Sequence, residues 1–145
     1  AAADRIATLV AAELVGIAQR ALEMAVDYAK ERQQFGQPIG SFQAVSHRCA
    51  EMLYEVEEAR SLTLYAAWAA DSEPETMPLA ASMAKDRASE AGWNVCGSSL
   101  QVHGGVGFTW EHDLQFWLKR ARLDAKLFGV ASVHRERVAA LAGLG

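Results

Sequence analysis

The sequence contains little cysteine and has no long apolar run. Its two cysteines, Cys49 and Cys96, lie far apart and form no Cys-x-x-Cys pair, so neither a disulfide framework nor a zinc site is expected. No run of about 18 apolar residues occurs, so no membrane-spanning helix is expected. Residues 1–5 contain no basic stretch leading into an apolar one, so no signal peptide is expected. Together these features predict a soluble cytoplasmic protein.

Positive charge is also scarce. The chain has 14 lysines and arginines against 18 aspartates and glutamates, which gives a formal net charge of −4. A general nucleic-acid binder needs a basic surface to neutralise phosphates, so that function is not expected. Hydrophobic residues make up 51% of the 145 positions, which suffices for one core and excludes whole-chain disorder. A single domain over residues 1–145 is therefore expected.

Alanine, by contrast, is abundant, with 28 of the 145 residues. It has the strongest intrinsic helix propensity, whereas proline has the weakest. The three prolines, Pro38, Pro74 and Pro78, lie at or near the boundaries of the periodic segments. No segment alternates apolar and polar residues for long enough to predict a sheet. The composition therefore favours an all-α fold.

Three long segments carry mostly apolar residues at steps of three and four, as expected of helices with one buried face. The stripes are Ile6, Val10, Leu14, Ile17, Ala21, Ala25 and Tyr28 in the first segment, Val45, Cys49, Met52, Val56, Ala59, Thr63, Ala66 and Ala70 in the second, and Leu79, Met83, Arg87, Ala91, Val95 and Ser98 in the third. Each segment is long enough for a helix of about 40 Å.

The connections between these segments are short. Ser41 and Thr76 are candidate N-caps of the second and third helices, with Pro78 in the first turn of the third. Shorter helices are expected over about residues 114–123 and 132–141. Long helices joined by short loops pack antiparallel, so we predict an up-and-down helical bundle of three long and two shorter helices.

Two kinds of catalytic site receive little support. A di-iron bundle needs Glu-x-x-His pairs, and the sequence contains none, so no metal is expected. Cys96, Ser98 and Ser99 lie close to His103 along the chain, but closeness at one helix end is not the geometry of a catalytic triad. A small-residue surface for helix packing explains these residues better.

A glycine cluster occupies residues 101–108, Gln-Val-His-Gly-Gly-Val-Gly-Phe. It matches neither the dinucleotide fingerprint nor the P-loop. A helix C-cap followed by a turn is the simplest interpretation. The adjacent glycines Gly104 and Gly105 also allow the backbone to approach a ligand closely, and Gln101 can offer an amide to a sugar or phosphate oxygen.

A second candidate site follows the first helix, where residues 34–40 are predicted to form a loop. Arg32 lies at the predicted helix end and Phe35 on the loop. A guanidinium binds phosphate through two hydrogen bonds and an aromatic ring stacks on a heterocycle, so the pair suits an anion beside a planar ring. Alternatively, Arg32 binds the last carbonyls of its own helix and Phe35 fills the core. The residue types alone leave both interpretations open.

The two segments together resemble the acyl-CoA dehydrogenase family. Its C-terminal helical domain carries Arg-x-x-Phe-Gly-x-x-Ile-x-x-x-Gln, matched here by Arg32, Phe35, Gly36, Ile39 and Gln43. Some sixty residues later it carries Gln-x-x-Gly-Gly-x-Gly, matched here by Gln101, Gly104, Gly105 and Gly107. The resemblance runs from about residue 6 to residue 142. The wording of residues 103–113 is similar to bacterial members that act on bulky acyl-CoA thioesters.

This resemblance implies a reaction, a cofactor and an assembly. Such enzymes abstract an α-proton from an acyl-CoA thioester while the β-hydride moves to FAD. The chain corresponds to their third domain, which forms the core of a dimer or tetramer, homo- or hetero-oligomeric, and contacts FAD. Arg32 is implied to pair with the FAD pyrophosphate and Phe35 to pack on the adenine side. The full set of implied FAD-binding residues is Arg32, Gln34, Phe35, Gln43, Gln101, His103, Gly104 and Gly105.

The catalytic base departs from the family pattern. One usual base is the Glu of a Glu-Gly-Thr stretch, and alignment on Gly129 places Phe128 there. The other lies 29 residues before the loop phenylalanine, at Ile6. Neither side chain accepts a proton, and Asp4 lies about 200° around the helix from Ile6. Three hypotheses stay open: a dehydrogenase with an unusual base, a non-catalytic partner subunit that supplies FAD contacts, and a helical assembly module without a flavin.

Overall fold

A computed structural model describes residues 2–144 and shows five α-helices within that range. Their bounds are Ala2–Glu31 for α1, Gln43–Ser72 for α2, Met77–His103 for α3, Leu114–Asp124 for α4 and Ala131–Leu141 for α5. The three long helices pack side by side through short connections, so the predicted all-α bundle is confirmed. Within residues 2–144 no helix combines the length and apolar character needed to cross a membrane.

The segment that follows α1 is more regular than predicted. Residues 34–40 belong to a small antiparallel hairpin, with β1 at Gln33–Gln34 and β2 at Gln37–Pro38, followed by a 3-10 turn at Ile39–Ser41. The prediction of an irregular loop was therefore wrong. A strand of two residues is too short to show an alternating pattern in the sequence.

The two predicted N-caps do not cap. The Ser41 hydroxyl donates a hydrogen bond to the Pro38 carbonyl (2.7 Å), and α2 follows Phe42 instead. Thr76 does precede α3, but its hydroxyl donates to the Glu73 carbonyl (3.0 Å) and not to the helix. Both hydroxyls are engaged by carbonyls three residues earlier, in the turns that lead into the helices. Pro78 does lie in the first turn of α3, as predicted.

Helix α3 is the centre of the bundle and contacts each of the other four helices. Its predicted stripe describes only part of its buried surface. Leu79 and Met83 on that stripe are half-buried, whereas Ala80, Ala84 and Ala88 are fully buried. A helix with neighbours on several sides buries several faces, so a single stripe underestimates its core residues.

Helices α1 and α3 approach closely because small residues lie between them. A Cβ atom at Gly92 would stand 2.9 Å from Leu14 Cδ2. Farther along, the Ser99 hydroxyl donates to the Ala21 carbonyl (2.7 Å). Leu14 and Ala21 belong to the predicted α1 stripe and are fully buried, whereas Ile6, its first member, is exposed.

An ion pair explains the exposure of Ile6. Asp4 is only 3% exposed, and Arg137 Nη1 on α5 donates to its Oδ1 (2.5 Å) and to the Ser82 hydroxyl on α3 (3.2 Å). Ile6 lies two residues on, on the opposite side of α1, and so points outward. The hydrogen bond from Arg137 holds the pKa of Asp4 below its usual range, against the opposing effect of burial.

We expect Asp4→Asn to lower the free energy of unfolding at pH 7 by about 1–3 kcal/mol, because it removes a charged partner from a buried pair. The folded-state pKa is depressed, so this contribution is present above the unfolded pKa of about 3.9 and is lost as pH falls through the folded value. Denaturant titrations of both proteins at pH 7 and pH 3 measure the difference, which should shrink at pH 3.

The matched control is Glu23→Gln, which makes the same chemical change on α1 at an exposed pair with Arg20. It should leave the free energy of unfolding unchanged, because exposed pairs contribute little. Equal losses in the two variants at pH 7 would contradict a structural role for the Asp4–Arg137 pair.

Candidate functional site

The two motifs singled out in the sequence meet at one end of the bundle. Tyr28, in the last turn of α1, packs on His103, the last residue of α3, with ring centroids 4.7 Å apart. Helix α2 begins at the same end, directly after the hairpin. We call this region, residues 32–43 and 101–113, the hairpin end. Two segments some sixty residues apart in sequence thus share one surface.

The hairpin turns at Phe35 and Gly36. Gln34 pairs with Gln37 across the turn, and the Ile39 amide donates to the Arg32 carbonyl (2.8 Å). Phe35 (φ 53°) and Gly36 (φ 77°) are both left-handed, as a type I′ turn requires. Glycine adopts this conformation freely, whereas for a phenylalanine it costs about 1–2 kcal/mol. The backbone therefore gives no reason for an aromatic residue here.

The Phe35 ring is 91% exposed and meets Phe42 edge-on, with centroids 6.1 Å apart. It does not fill the core, so that alternative is wrong. Arg32 is exposed, and its guanidinium has no hydrogen bond or ion pair within residues 2–144. In the structure it does not bind the carbonyls of α1. A cation and a flat ring thus stand side by side on the hairpin, open to a ligand.

The glycine cluster forms the second part of the hairpin end. Gly104 (φ 63°) is the C-cap of α3, as predicted, and a 3-10 turn over Gly104–Phe108 follows. A Cβ atom at Gly105 would have nothing within 4 Å, whereas one at Gly107 would stand 2.9 Å from His103 Cβ. Gly107 is therefore required for packing. The backbone at Gly105 has open space before it, which a ligand can enter.

His103 is buried, unlike the other candidate side chains. Its ring lies between Tyr28 and His112, whose centroid is 4.5 Å away. Its Nδ1 donates to the Ser99 carbonyl (2.7 Å). Burial lowers the pKa of His103, and the neighbouring His112 adds to this, so the ring is neutral at pH 7. His103 thus supports the glycine turn from below and does not present a side chain to solvent.

Two residues at the hairpin end were not singled out in the sequence. His112 Nδ1 accepts a hydrogen bond from the Leu114 amide (3.2 Å) at the start of α4. Trp110 is largely exposed, and Lys119 Nζ lies 4.8 Å from its ring centroid. Their signal was aromatic residues directly after the glycine run. The remaining candidates, Gln34, Gln43 and Gln101, are exposed at this end.

Comparison with protein families matches residues 3–142 to the acyl-CoA dehydrogenase C-terminal domain. The chain belongs to the acyl-CoA dehydrogenase family. The resemblance stated from the two motifs is therefore confirmed, and the match covers all five helices almost to their ends.

Individual relatives agree with this assignment. The chain is 44% identical to acyl-CoA dehydrogenase IpdE2 of Mycolicibacterium smegmatis, over 88% of this chain and 39% of the relative. A solved FAD-dependent dehydrogenase superposes with a TM-score of 0.93 at 33% identity, over 99% of this chain and 38% of that one. The ChsE4–ChsE5 complex of Mycobacterium tuberculosis gives 0.89 at 31%, over 98% and 39%. The chain thus spans about two fifths of the length of these relatives.

The positions at which the family usually carries its base lie away from the hairpin end. Phe128 is in the turn between α4 and α5, is 52% exposed and has a left-handed backbone (φ 57°). Ile6 is exposed near the start of α1, and the neighbouring Asp4 is engaged by Arg137. Neither position offers a proton acceptor.

We expect Phe35→Asn to leave the free energy of unfolding unchanged or to raise it by up to about 1 kcal/mol. Asparagine tolerates the left-handed conformation, and Asn-Gly is the preferred dipeptide of a type I′ turn, so relief of strain offsets the lost contact with Phe42. Denaturant unfolding measures the change. The comparison variant is Phe116→Asn, which removes an exposed phenylalanine from the right-handed backbone of α4 and cannot relieve such strain. A loss of about 3 kcal/mol at Phe35 would show that its ring fills a core.

Proposed function

We propose that the protein is a flavin-dependent acyl-CoA dehydrogenase and that this domain holds the adenosine diphosphate part of FAD at the hairpin end. One observation carries the proposal: the unpartnered guanidinium of Arg32 stands beside the exposed, strained Phe35. Family membership supports it, because acyl-CoA dehydrogenases use a flavin. We further propose that the protein works in the cytoplasm on a bulky acyl-CoA thioester.

The donor set of the hairpin end fits FAD. Arg32 offers a planar fork of N–H groups, which matches two phosphate oxygens, and the Phe35 ring offers a face for the adenine. The backbone at Gly104 and Gly105 is open to close approach. The exposed amides of Gln34, Gln43 and Gln101 supply further hydrogen bonds, and His103 fixes the turn that carries the glycines.

Bound FAD would supply the two-electron acceptor for dehydrogenation of the thioester. The residues of this chain bind and orient the cofactor, and none of them at the two usual base positions takes the α-proton. We propose that the base is an unusual one, contributed from outside these positions.

A second candidate function is that of a non-catalytic partner subunit, which supplies FAD contacts to a homologous chain. The apolar Phe128 and Ile6 favour it, and the ChsE4–ChsE5 structure is a complex of two chains. The exposed aromatic residues of α2, with Tyr65 and Trp68 stacked at 5.9 Å, offer a surface for dimer or tetramer formation. Co-purification separates the two functions, because a partner subunit requires a second homologous chain that carries a base.

We expect Arg32→Ala to weaken FAD binding by about 10- to 100-fold in the assembled flavoprotein. A charge-assisted phosphate contact contributes about 1.5–3 kcal/mol. Fluorescence titration of the apoprotein with FAD measures the Kd, and the melting temperature of the apoprotein should change little. Arg32→Lys should recover part of the affinity, because lysine keeps the charge and loses the fork.

Arg48→Ala is the matched control, because Arg48 is exposed near the start of α2 and lies outside the hairpin. It should leave the Kd for FAD within about twofold, since a rim charge contributes little. If Arg32→Ala retains its full complement of FAD through gel filtration, the cofactor assignment at Arg32 is wrong. A helical assembly module without a flavin would then be favoured.

The 145-residue chain by itself is expected not to dehydrogenate an acyl-CoA thioester. It provides no base at either usual position, and the chain spans only about two fifths of its relatives. Anaerobic mixing of the isolated chain and FAD with butyryl-CoA or octanoyl-CoA, followed at the flavin absorbance band, measures this. Bleaching of that band at a rate above the protein-free control would contradict the expectation.

A further inference from the structure

A fully buried lysine lies in the middle of α3. Lys85 has no exposed surface, and its Nζ donates to the Ser89 hydroxyl (3.0 Å) and to the carbonyls of Ala125 (3.2 Å) and Gly129 (3.1 Å). These three acceptors use every hydrogen of the ammonium group. Burial lowers the pKa of Lys85 to about 8, although the nearby buried Asp124 opposes this.

Burying an ammonium group is unfavourable, and an apolar side chain of similar volume often serves stability equally well. Stability alone therefore does not explain Lys85. Its two carbonyl partners point to another role, since Ala125 is the C-cap of α4 and Gly129 lies two residues before α5. The ammonium group thus ties both ends of the turn at residues 125–129 to the central helix.

That turn has a strained backbone. Phe128 (φ 57°) and Gly129 (φ 104°) are both left-handed, a conformation that a bulky residue rarely adopts. The Phe128 carbonyl accepts a hydrogen bond from His134 Nε2 (2.9 Å), and the Gly129 carbonyl accepts one from Lys85. Such strain persists only where surrounding groups fix the backbone, and it concentrates at functional sites.

His134 makes the turn rigid. A Cβ atom at Gly129 would stand 2.9 Å from His134 Nε2, so only glycine fits. Because Nε2 donates to a carbonyl, the imidazole carries its hydrogen there. Burial lowers the pKa of His134, with Lys85 and Arg137 contributing, so the ring stays neutral and its hydrogen bond persists at pH 7.

The result of these contacts is an aromatic ring held outward. The Phe128 side chain is about half exposed, and its neighbours Leu127, Val130 and Val133 are exposed as well. The turn thus presents an apolar surface on a backbone that buried polar groups fix from behind.

We propose that Lys85 is a positioning residue that fixes the turn at Phe128 and Gly129, so that the Phe128 ring forms an apolar wall for the acyl group of the substrate. The second part rests on the proposed dehydrogenase function. The first part concerns the turn alone, and the two are tested separately.

Hydrogen exchange in the assembled protein tests the positioning role. Lys85→Met removes all three donors and keeps an apolar chain of similar length. It should leave exchange in the cores of α1 and α3 unchanged and accelerate exchange of the amides at residues 125–130 about tenfold or more. The matched control is Lys126→Met, because Lys126 lies in the same turn, is exposed, and its ammonium group makes no hydrogen bond within residues 2–144.

Should Lys85→Met fail to fold, Lys85→Gln keeps an amide donor that cannot reach all three acceptors, and it should show an intermediate exchange rate at the turn. Wild-type exchange at residues 125–130 in the folded variant would overturn the positioning role, whether or not a flavin binds. Equal acceleration in Lys126→Met would overturn it as well.

Ligand protection tests the acyl contact in the FAD-loaded protein. Octanoyl-CoA should slow exchange at residues 125–130, and CoA alone should not. In Lys85→Met this protection should be lost, and the Kd for octanoyl-CoA should rise about tenfold, whereas a purely structural role would leave both at wild-type values. Absence of protection in a wild-type protein that binds FAD would overturn the acyl wall. A wild-type protein that binds no FAD would overturn the proposed function, while exchange at the turn still decides the role of Lys85.

Discussion

The close contact between α1 and α3 is the constraint on which the rest of the structure depends. Gly92 leaves room for Leu14, and the Ser99 hydroxyl bonds to the α1 backbone at Ala21. Larger residues here would push the helices apart, because interiors are close-packed and tolerate little added volume. With this spacing, the ends of α1 and α3 coincide, and Tyr28 meets His103. The hairpin and the glycine turn become neighbours for that reason.

Buried polar groups support the exposed ones in both regions discussed. At the hairpin end, His103 lies beneath the glycine turn while Phe35 stands in solvent. At the turn between α4 and α5, Lys85 and His134 fix the backbone while Phe128 points outward. In each region a left-handed phenylalanine is displayed by a backbone whose carbonyls or amides are engaged. Strain of this kind survives because the surrounding contacts are stronger than its cost.

Much of the fold was predictable because helical periodicity and boundary residues are local properties. The five helices lie within one or two residues of the predicted ranges wherever these were stated. The failures were also local in appearance and tertiary in cause. The Ser41 hydroxyl bonds to a turn carbonyl instead of α2, and the third stripe missed alanines such as Ala84 because α3 has neighbours on several sides. Periodicity records one buried face and gives no count of neighbours.

The sequence by itself determined the helical class, the family and the chemistry of the candidate residues, since a guanidinium, an aromatic ring and paired glycines keep their properties in any fold. Only the tertiary structure decided which of them face a ligand. Burial separates His103 from Gln101 two positions away, and the left-handed turn exposes Phe35, which the residue types alone left as a possible core residue. Lys85 reads as a surface lysine in the sequence, and only the packing of α4 and α5 against α3 brings two distant carbonyls to its ammonium group. Exposure and partners are properties of the packed chain, because they depend on residues far apart in sequence.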